Sequence, residues 1–199
     1  MGISQASASV WVRDIRLTAD QRRTLAERGE RGRQRARLAK SERARAARRS
    51  YQVEGRRLAR ERGARYAAGC MLYWAEGAKR RNSLKLSNSD PELLALFAGF
   101  LESELGVPRE SMRLACNLFA DHLDRQREIE DYWLTRLELP RSSLRKSTVN
   151  VFSKYSKKTR IGRLPYGTAA LVVHSTRIVQ TIYGSIQEYG GFDRPEWLD

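Results

Sequence analysis

The sequence predicts an α+β fold: a mostly antiparallel sheet interleaved with helices and preceded by an Arg-rich helical arm. Three observations carry that prediction. Charge is segregated: Met1 to Arg65 holds 19 Lys/Arg against 7 Asp/Glu, while the remainder holds 19 against 16, so the first third carries most of the formal net charge of +15. Beyond Arg65 the apolar residues switch repeatedly between the helical period and strand alternation. Several connections between the strands so found are too short for a βαβ crossover, which favours antiparallel pairing.

A chain of 199 residues with 41% hydrophobic content suffices for one domain, or one domain plus a smaller appendage. No run approaches the roughly 18 consecutive apolar residues of a membrane span. Met1 to Val12 lacks the basic start and apolar stretch of a secretory signal. Cys70 and Cys116 cannot build a disulfide framework and sit in apolar stretches, as buried thiols of a cytoplasmic protein would. The basic balance leads us to expect a polyanionic partner.

Residues 1–17 contain a short helix, Ser4 to Ile15, with small polar residues at its start and Val10, Trp11 and Ile15 as an apolar patch. This stretch resembles the recognition helix of a helix-turn-helix domain, and Val12-Arg13-Asp14-Ile15-Arg16-Leu17-Thr18 looks like the end of such a domain in resolvase-type proteins. The two preceding helices are missing, so the segment is either a remnant or the product of a start placed too late. A lone recognition helix has nothing to pack against.

Residues 18–63 form the arm. Ala, Arg, Glu and Gln dominate and favour helix, and Thr18 with Gln21 forms a capping-box pattern. Leu25, Leu38, Tyr51, Val53 and Leu58 make no continuous stripe, and Gly29, Gly32, Gly55 and Gly63 weaken the helix. One or two exposed helices are expected, serving as a solvated linker, as an arm docked along phosphates, or as both. Arg31, Arg33, Arg35 and Arg37, then Arg43, Arg45, Arg48 and Arg49, are the candidate phosphate contacts.

Residues 64–189 form the folded domain. Ala64 to Ala75 is an apolar helix with Ala64, Ala68 and Ala75 on one side, and Gly69 and Cys70 close by. Ser83 to Ser87 alternates as a strand. Ser89 or Asp90 caps a helix with Pro91 at its first position, running to Leu105 and ended by Gly106. Met112 to Phe119 is a strand, and Asp124 to Leu139 a helix stopped by Pro140. Thr148 to Phe152 and Ala169 to His174 are two more strands, joined by the basic stretch Ser153 to Gly167. Ser175 to Tyr189 is the last helix, with Ser175 or Thr176 as cap. Residues 190–199 are a turn-rich tail with an exposed Trp197.

The most informative string is Gly69-Cys70-Met71-Leu72-Tyr73-Trp74-Ala75-Glu76-Gly77. Small faces let two such helices approach closely, which sets the terminal acid beside its twin, and two juxtaposed carboxylates suit a divalent cation. The string resembles the signature of the LAGLIDADG homing-endonuclease superfamily: Ala75-Glu76-Gly77 matches its closing small–acid–Gly, Leu72-Tyr73 its apolar middle, and Leu86 to Leu94 the strand-to-helix step that follows. The resemblance spans roughly Ala64 to Tyr189. It implies an αββαββα core whose antiparallel sheet lies in the DNA major groove, a homodimer through the Ala64–Ala75 helix, and Glu76 as the catalytic acid holding Mg²⁺. Met71 stands at the family's mid-motif Gly and Trp74 at the first of its two acids, which argues against cleavage more than against the fold. The superfamily includes bacterial regulators that pair such a domain with a helix-turn-helix and do not cut. Glu76 has three readings: a solvated residue at a helix end, a DNA or dimer-seam contact, or a metal ligand.

Lys79, Arg80, Arg81 and Lys85 flank Glu76 and would meet phosphates on a sheet facing DNA. Between Asn150 and Tyr166, Lys154, Lys157, Lys158, Arg160 and Arg163 alternate with Tyr155 and Tyr166, a pattern suited to backbone contact and stacking. Asp121-His122 offers either a general base or a turn-satisfying histidine. No zinc spacing, phosphate loop or dinucleotide fingerprint is present. The expected function is that of a non-cleaving, regulator-like reader of duplex DNA. The alternatives are a Mg²⁺-dependent DNA endonuclease and an RNA-binding protein.

Overall fold

The computed structural model describes residues 4–11, 13, 15–150 and 164–199. The chain forms two compact units, Met1–Ala44 and Arg45–Asp199. In the first, α1 (Gln5–Trp11) leaves Val10 and Trp11 exposed, as is Ile15 beyond it, so the described large apolar residues of this segment are not buried. α2 (Ala19–Glu61) starts on a reciprocal capping box: the Thr18 N–H donates to Gln21 Oε1 at 2.9 Å, and the Gln21 N–H to Thr18 Oγ1 at 3.3 Å. Up to Ala44 its side chains are nearly all exposed. They are tied by pairs such as Arg23–Asp20 and Arg33–Glu30, each worth about 0.3–0.5 kcal/mol.

The second unit takes the remainder of α2, then α3 (Ala64–Glu76), β1 (Leu84–Asn88), α4 (Pro91–Leu105), β2 (Arg113–Phe119), α5 (Gln126–Arg136), β3 (Thr148–Asn150), β4 (Thr168–Val173) and α6 (Thr176–Gly190). Local chemistry sets the ends as the sequence implies. The Asp90 carboxylate accepts from the Glu92 and Leu93 N–H groups, and Ser175 Oγ accepts from Ile178 N–H. Gly106 takes the left-handed conformation, φ 64°, that closes α4.

The sheet has the order β1-β4-β2-β3. β4 runs antiparallel to both β1 and β2, while β2 and β3 are parallel. β1, β2 and β3 therefore point the same way, with β4 inserted against them. The α+β class holds, but the sheet is mixed, and the described elements run αβαβαββα where the family resemblance implies αββαββα. α4 and α5 are long enough to act as crossovers, which short-range connection lengths did not reveal. Inner-face residues Leu84, Leu86, Leu114, Cys116, Leu171 and Val173 join α3, α4, α5 and α6 in one hydrophobic cluster.

The arm does not end where composition places its boundary. From Arg45 onward α2 packs on α6, and the two helices touch backbone to backbone. A Cβ on Gly55 would lie 1.9 Å from Thr181 O, and one on Gly184 2.0 Å from Gln52 O. Around this crossing the buried Gln52 side chain donates to Gln180 Oε1 at 2.7 Å and accepts from Gln187 Nε2 at 3.1 Å. Ser185 Oγ donates to Gly55 O at 2.8 Å. The polar side of α6 is thus buried beneath α2, and its apolar side packs on α3 and β1. The tail also differs from expectation. Trp197 is buried and stacks on Tyr183 at 4.4 Å, because residues 192–198 fold back over α6.

Gly55→Ala and Gly184→Ala are each expected to lower unfolding stability in urea by about 3 kcal/mol, because no side-chain movement relieves a clash with backbone. The double variant should cost less than the sum, since one opening of the crossing serves both methyl groups. Gly99→Ala, in a helix with nothing within 4 Å of the new methyl, should be neutral or stabilising by up to about 1 kcal/mol.

Candidate nucleic-acid interface

Strand alternation gives the sheet a second face that is absent from the hydrophobic cluster. Three cross-strand rows follow from the register: Lys85–Val172–Arg113, Ser87–Ala170–Ala115, and Thr168–Asn117–Thr148. Asn117, Thr148 and Asn150 are exposed, Lys85, Ser87, Arg113 and Thr168 half-buried, and Ala170 buried. The middle row is small and leaves the face shallow. Cations stand at one end and amide and hydroxyl groups at the other, with no carboxylate on any described position of the three rows. Arg113 Nη1 donates to the carbonyls of Glu110 and Met112, which fixes the direction of the guanidinium. Asn117 Nδ2 donates to Thr168 Oγ1 at 3.4 Å. Such a surface can meet phosphates with Lys85 and Arg113 and base edges with Asn117.

Of the candidates from sequence, Lys85 belongs to this face. Lys79 does not act as a free cation: its ammonium donates to the Tyr73, Trp74 and Gly77 carbonyls and caps the C-terminus of α3. Desolvation holds its pKa below the ordinary lysine range, with the nearby Glu76 opposing the shift. The Arg80 and Arg81 side chains are exposed, while their carbonyls accept from Tyr183 Oη at 3.1 Å and Gln180 Nε2 at 2.9 Å, which anchors this turn to α6. Arg43 and Arg49 are exposed and make no ion pair among the described residues. Arg45 pairs with Asp199 at 2.8 Å. Arg48 is no surface contact: it is buried, and its Nε donates to Leu198 O at 2.6 Å, holding the tail to α2. Lys154, Tyr155, Lys157, Lys158, Arg160 and Arg163 lie outside the described residues. Tyr166 has one ring face covered by Tyr132 at 3.7 Å, and its carbonyl accepts from Trp133 Nε1 at 2.8 Å, so it anchors the chain to α5.

Glu76 is exposed at the end of α3, 3.5 Å from Asn88 Nδ2. Among the described residues no group of three or more His, Cys, Asp and Glu side chains gathers into a metal site. A Mg²⁺ ion at Glu76 would therefore draw on one carboxylate of this chain. Trp74, at the resemblance's first acid position, packs its ring on Phe192 at 5.5 Å and so serves the tail. The small-residue patch of α3 divides in two. Ala64, Ala68 and Ala75 are exposed, but Gly69 and Cys70 face inward, and a Cβ on Gly69 would meet the Phe100 ring at 2.2 Å.

His122 is buried, with Nδ1 accepting the Phe119 N–H at 3.3 Å, which makes it the turn-satisfying histidine. Neither cysteine is a nucleophile, since burial pushes the Cys70 thiol up to about 12 and Cys116 up to about 11. Sequence reading missed Ser87, Arg113, Asn117, Thr148, Asn150 and Thr168. The signal was available for β2, where alternation sets Arg113 and Asn117 opposite Leu114 and Cys116. No protein-family model, curated protein or solved structure matches this chain.

Native protein at pH 8 should leave both thiols unlabelled by an aromatic disulfide reagent, with labelling complete only after denaturation. The folded thiols keep their protons to higher pH than unfolded ones, so the folded state binds more protons above about pH 9. Stability should then fall with rising pH, by at most about 1.4 kcal/mol per unit for each thiol. Urea titrations at pH 8 and pH 10 measure this.

Proposed function

We propose that this protein binds duplex DNA through the outer face of its sheet, as a sequence reader that does not cut. The observation that carries the reading is the carboxylate-free face on which Lys85 and Arg113 stand at one end and Asn117 and Thr168 at the other. An open sheet face with a shallow middle suits a duplex groove, with cations fixing register and an amide reading a base edge. The sequence between β3 and β4 adds Lys154, Lys157, Lys158, Arg160 and Arg163, tethered between Asn150 and Thr168, which both lie on this face. Exposed arginines of α2 before Arg45, such as Arg35 and Arg37, supply further phosphate contacts.

The likeness to the LAGLIDADG superfamily enters through Ala75-Glu76-Gly77 and the sheet face, with the departure in element order already described. A homodimer fits the exposed Ala64, Ala68 and Ala75 side of α3, which presents little steric bulk to a second copy. A Mg²⁺-dependent endonuclease is the second reading. It rests on Glu76 at the end of that helix and needs the partner's equivalent acid to complete an ion site.

Selection from randomised duplexes at about 150 mM salt, followed by Mg²⁺, tests the proposal. An enriched near-palindrome left intact by Mg²⁺ supports the non-cutting dimeric reader. Cleavage that Glu76→Gln abolishes without loss of binding would establish the nuclease instead. Lys85→Gln and Arg113→Gln should each reduce the salt slope of log K by about 0.9, and Asn117→Ala should relax preference at one base pair by about 1–3 kcal/mol. No enriched sequence, or stronger binding to structured RNA at matched salt, would overturn it.

A further inference from the structure

The second unit holds a cavity of about 370 Å³ where β4 ends and α6 begins. Its position follows from local structure. The left-handed Gly106 ends α4 and turns Val107 back so that its N–H reaches Leu101 O at 2.9 Å, which sets this corner as one wall. Strand β2 starts on the other side. Leu105, Val107, Val173 and Ile178 give the cavity an apolar lining, while Arg113, Arg145, Arg177 and His174 add cationic or hydrogen-bonding groups. These four come from two separate elements, β2 and α6, and two loops, so the fold, and no local sequence run, gathers them. No carboxylate lines the cavity among the described residues. Arg145 and Arg177 make no ion pair within 4 Å among the described residues, and Glu54, which Arg177 influences at longer range, is held at 2.7 Å by Arg57. Three arginines thus border one apolar hollow with no carboxylate among its described lining residues.

We propose that this cavity binds a small organic phosphate monoester, the dianion on Arg145 and Arg177 with support from Arg113 and His174, and an apolar body against Val107, Val173 and Ile178. Guanidinium forks match phosphate oxygens in pairs, and charge-assisted hydrogen bonds to them are about twice as strong as neutral ones. The volume lies in the range of small-molecule pockets and exceeds what an isolated phosphate fills. The cavity and the sheet face share Arg113, but Arg145 and Arg177, on which the proposal rests, belong to none of the three sheet rows. The sheet face can bind duplex with the cavity empty, and the cavity can bind its ligand in a protein that ignores DNA.

Calorimetric titration of the full chain with phenyl phosphate, inorganic phosphate and phenol separates the two parts of the claim. Phenyl phosphate should bind about tenfold more tightly than inorganic phosphate, and phenol should not bind detectably. Arg145→Gln and Arg177→Gln should each weaken phenyl phosphate about tenfold while the far-ultraviolet circular dichroism and unfolding midpoint stay unchanged. Val107→Ser should weaken phenyl phosphate and leave inorganic phosphate as it was. The proposal is overturned if phenyl phosphate shows no binding, if its binding survives both arginine substitutions, or if only duplex DNA engages these arginines, seen as loss of DNA affinity in the variants without any phenyl phosphate signal.

Discussion

The close crossing of α2 and α6 at Gly55 and Gly184 is the contact on which the second unit depends. Each glycine costs its helix about 1 kcal/mol of propensity, and each is needed because the opposing backbone leaves no room for a methyl group. Bringing backbones this close desolvates the polar side of α6. The Gln52, Gln180 and Gln187 amides then satisfy one another, and Gln180 also reaches the carbonyls of Arg81 and Trp197. A buried amide without a partner would cost about 1–3 kcal/mol, so this network restricts the crossing to one register. Arg48 and Trp197 secure the tail to the same helices, from opposite directions.

With α6 held in this way, its apolar side joins α3, α4, α5 and the inner sheet face in one core, and the outer face of the sheet stays out of that core. Alternation then does two jobs in the same strands. In β2, Leu114, Cys116 and Leu118 build the interior while Arg113 and Asn117 are presented on the other side. The candidate interface is thus a by-product of layer architecture, supported on strands and not on loops, which gives its side chains fixed spacing.

Much of the local structure was legible in the sequence. The Thr18–Gln21 capping box, the Asp90 cap with Pro91 behind it, the Gly106 stop and the Ser175 cap are each decided by residues within four positions of one another, so short-range chemistry suffices. The order of helices and strands after Ala64 was legible for the same reason. Parallel and antiparallel pairing was not, because it depends on which strand β4 inserts beside. Of the candidate site, Lys85 was found and the rest of its face was not. Charge runs drew attention to Lys79 and Arg48, yet their charged groups are engaged by main-chain carbonyls of α3 and of the tail. A cation's availability depends on distant acceptors, and composition does not contain them.

By itself the sequence determined the segregation of charge, the helix ends, the alternation of the strands and the burial of both thiols, all of which follow from side-chain type and near neighbours. Only the tertiary structure decided that the last part of the arm belongs to the core, that the polar side of α6 is interior, and that Arg113, Arg145 and Arg177 meet at one cavity. Those outcomes join residues far apart in the chain. Their energies arise from close packing and shared desolvation, which exist only once the elements have met.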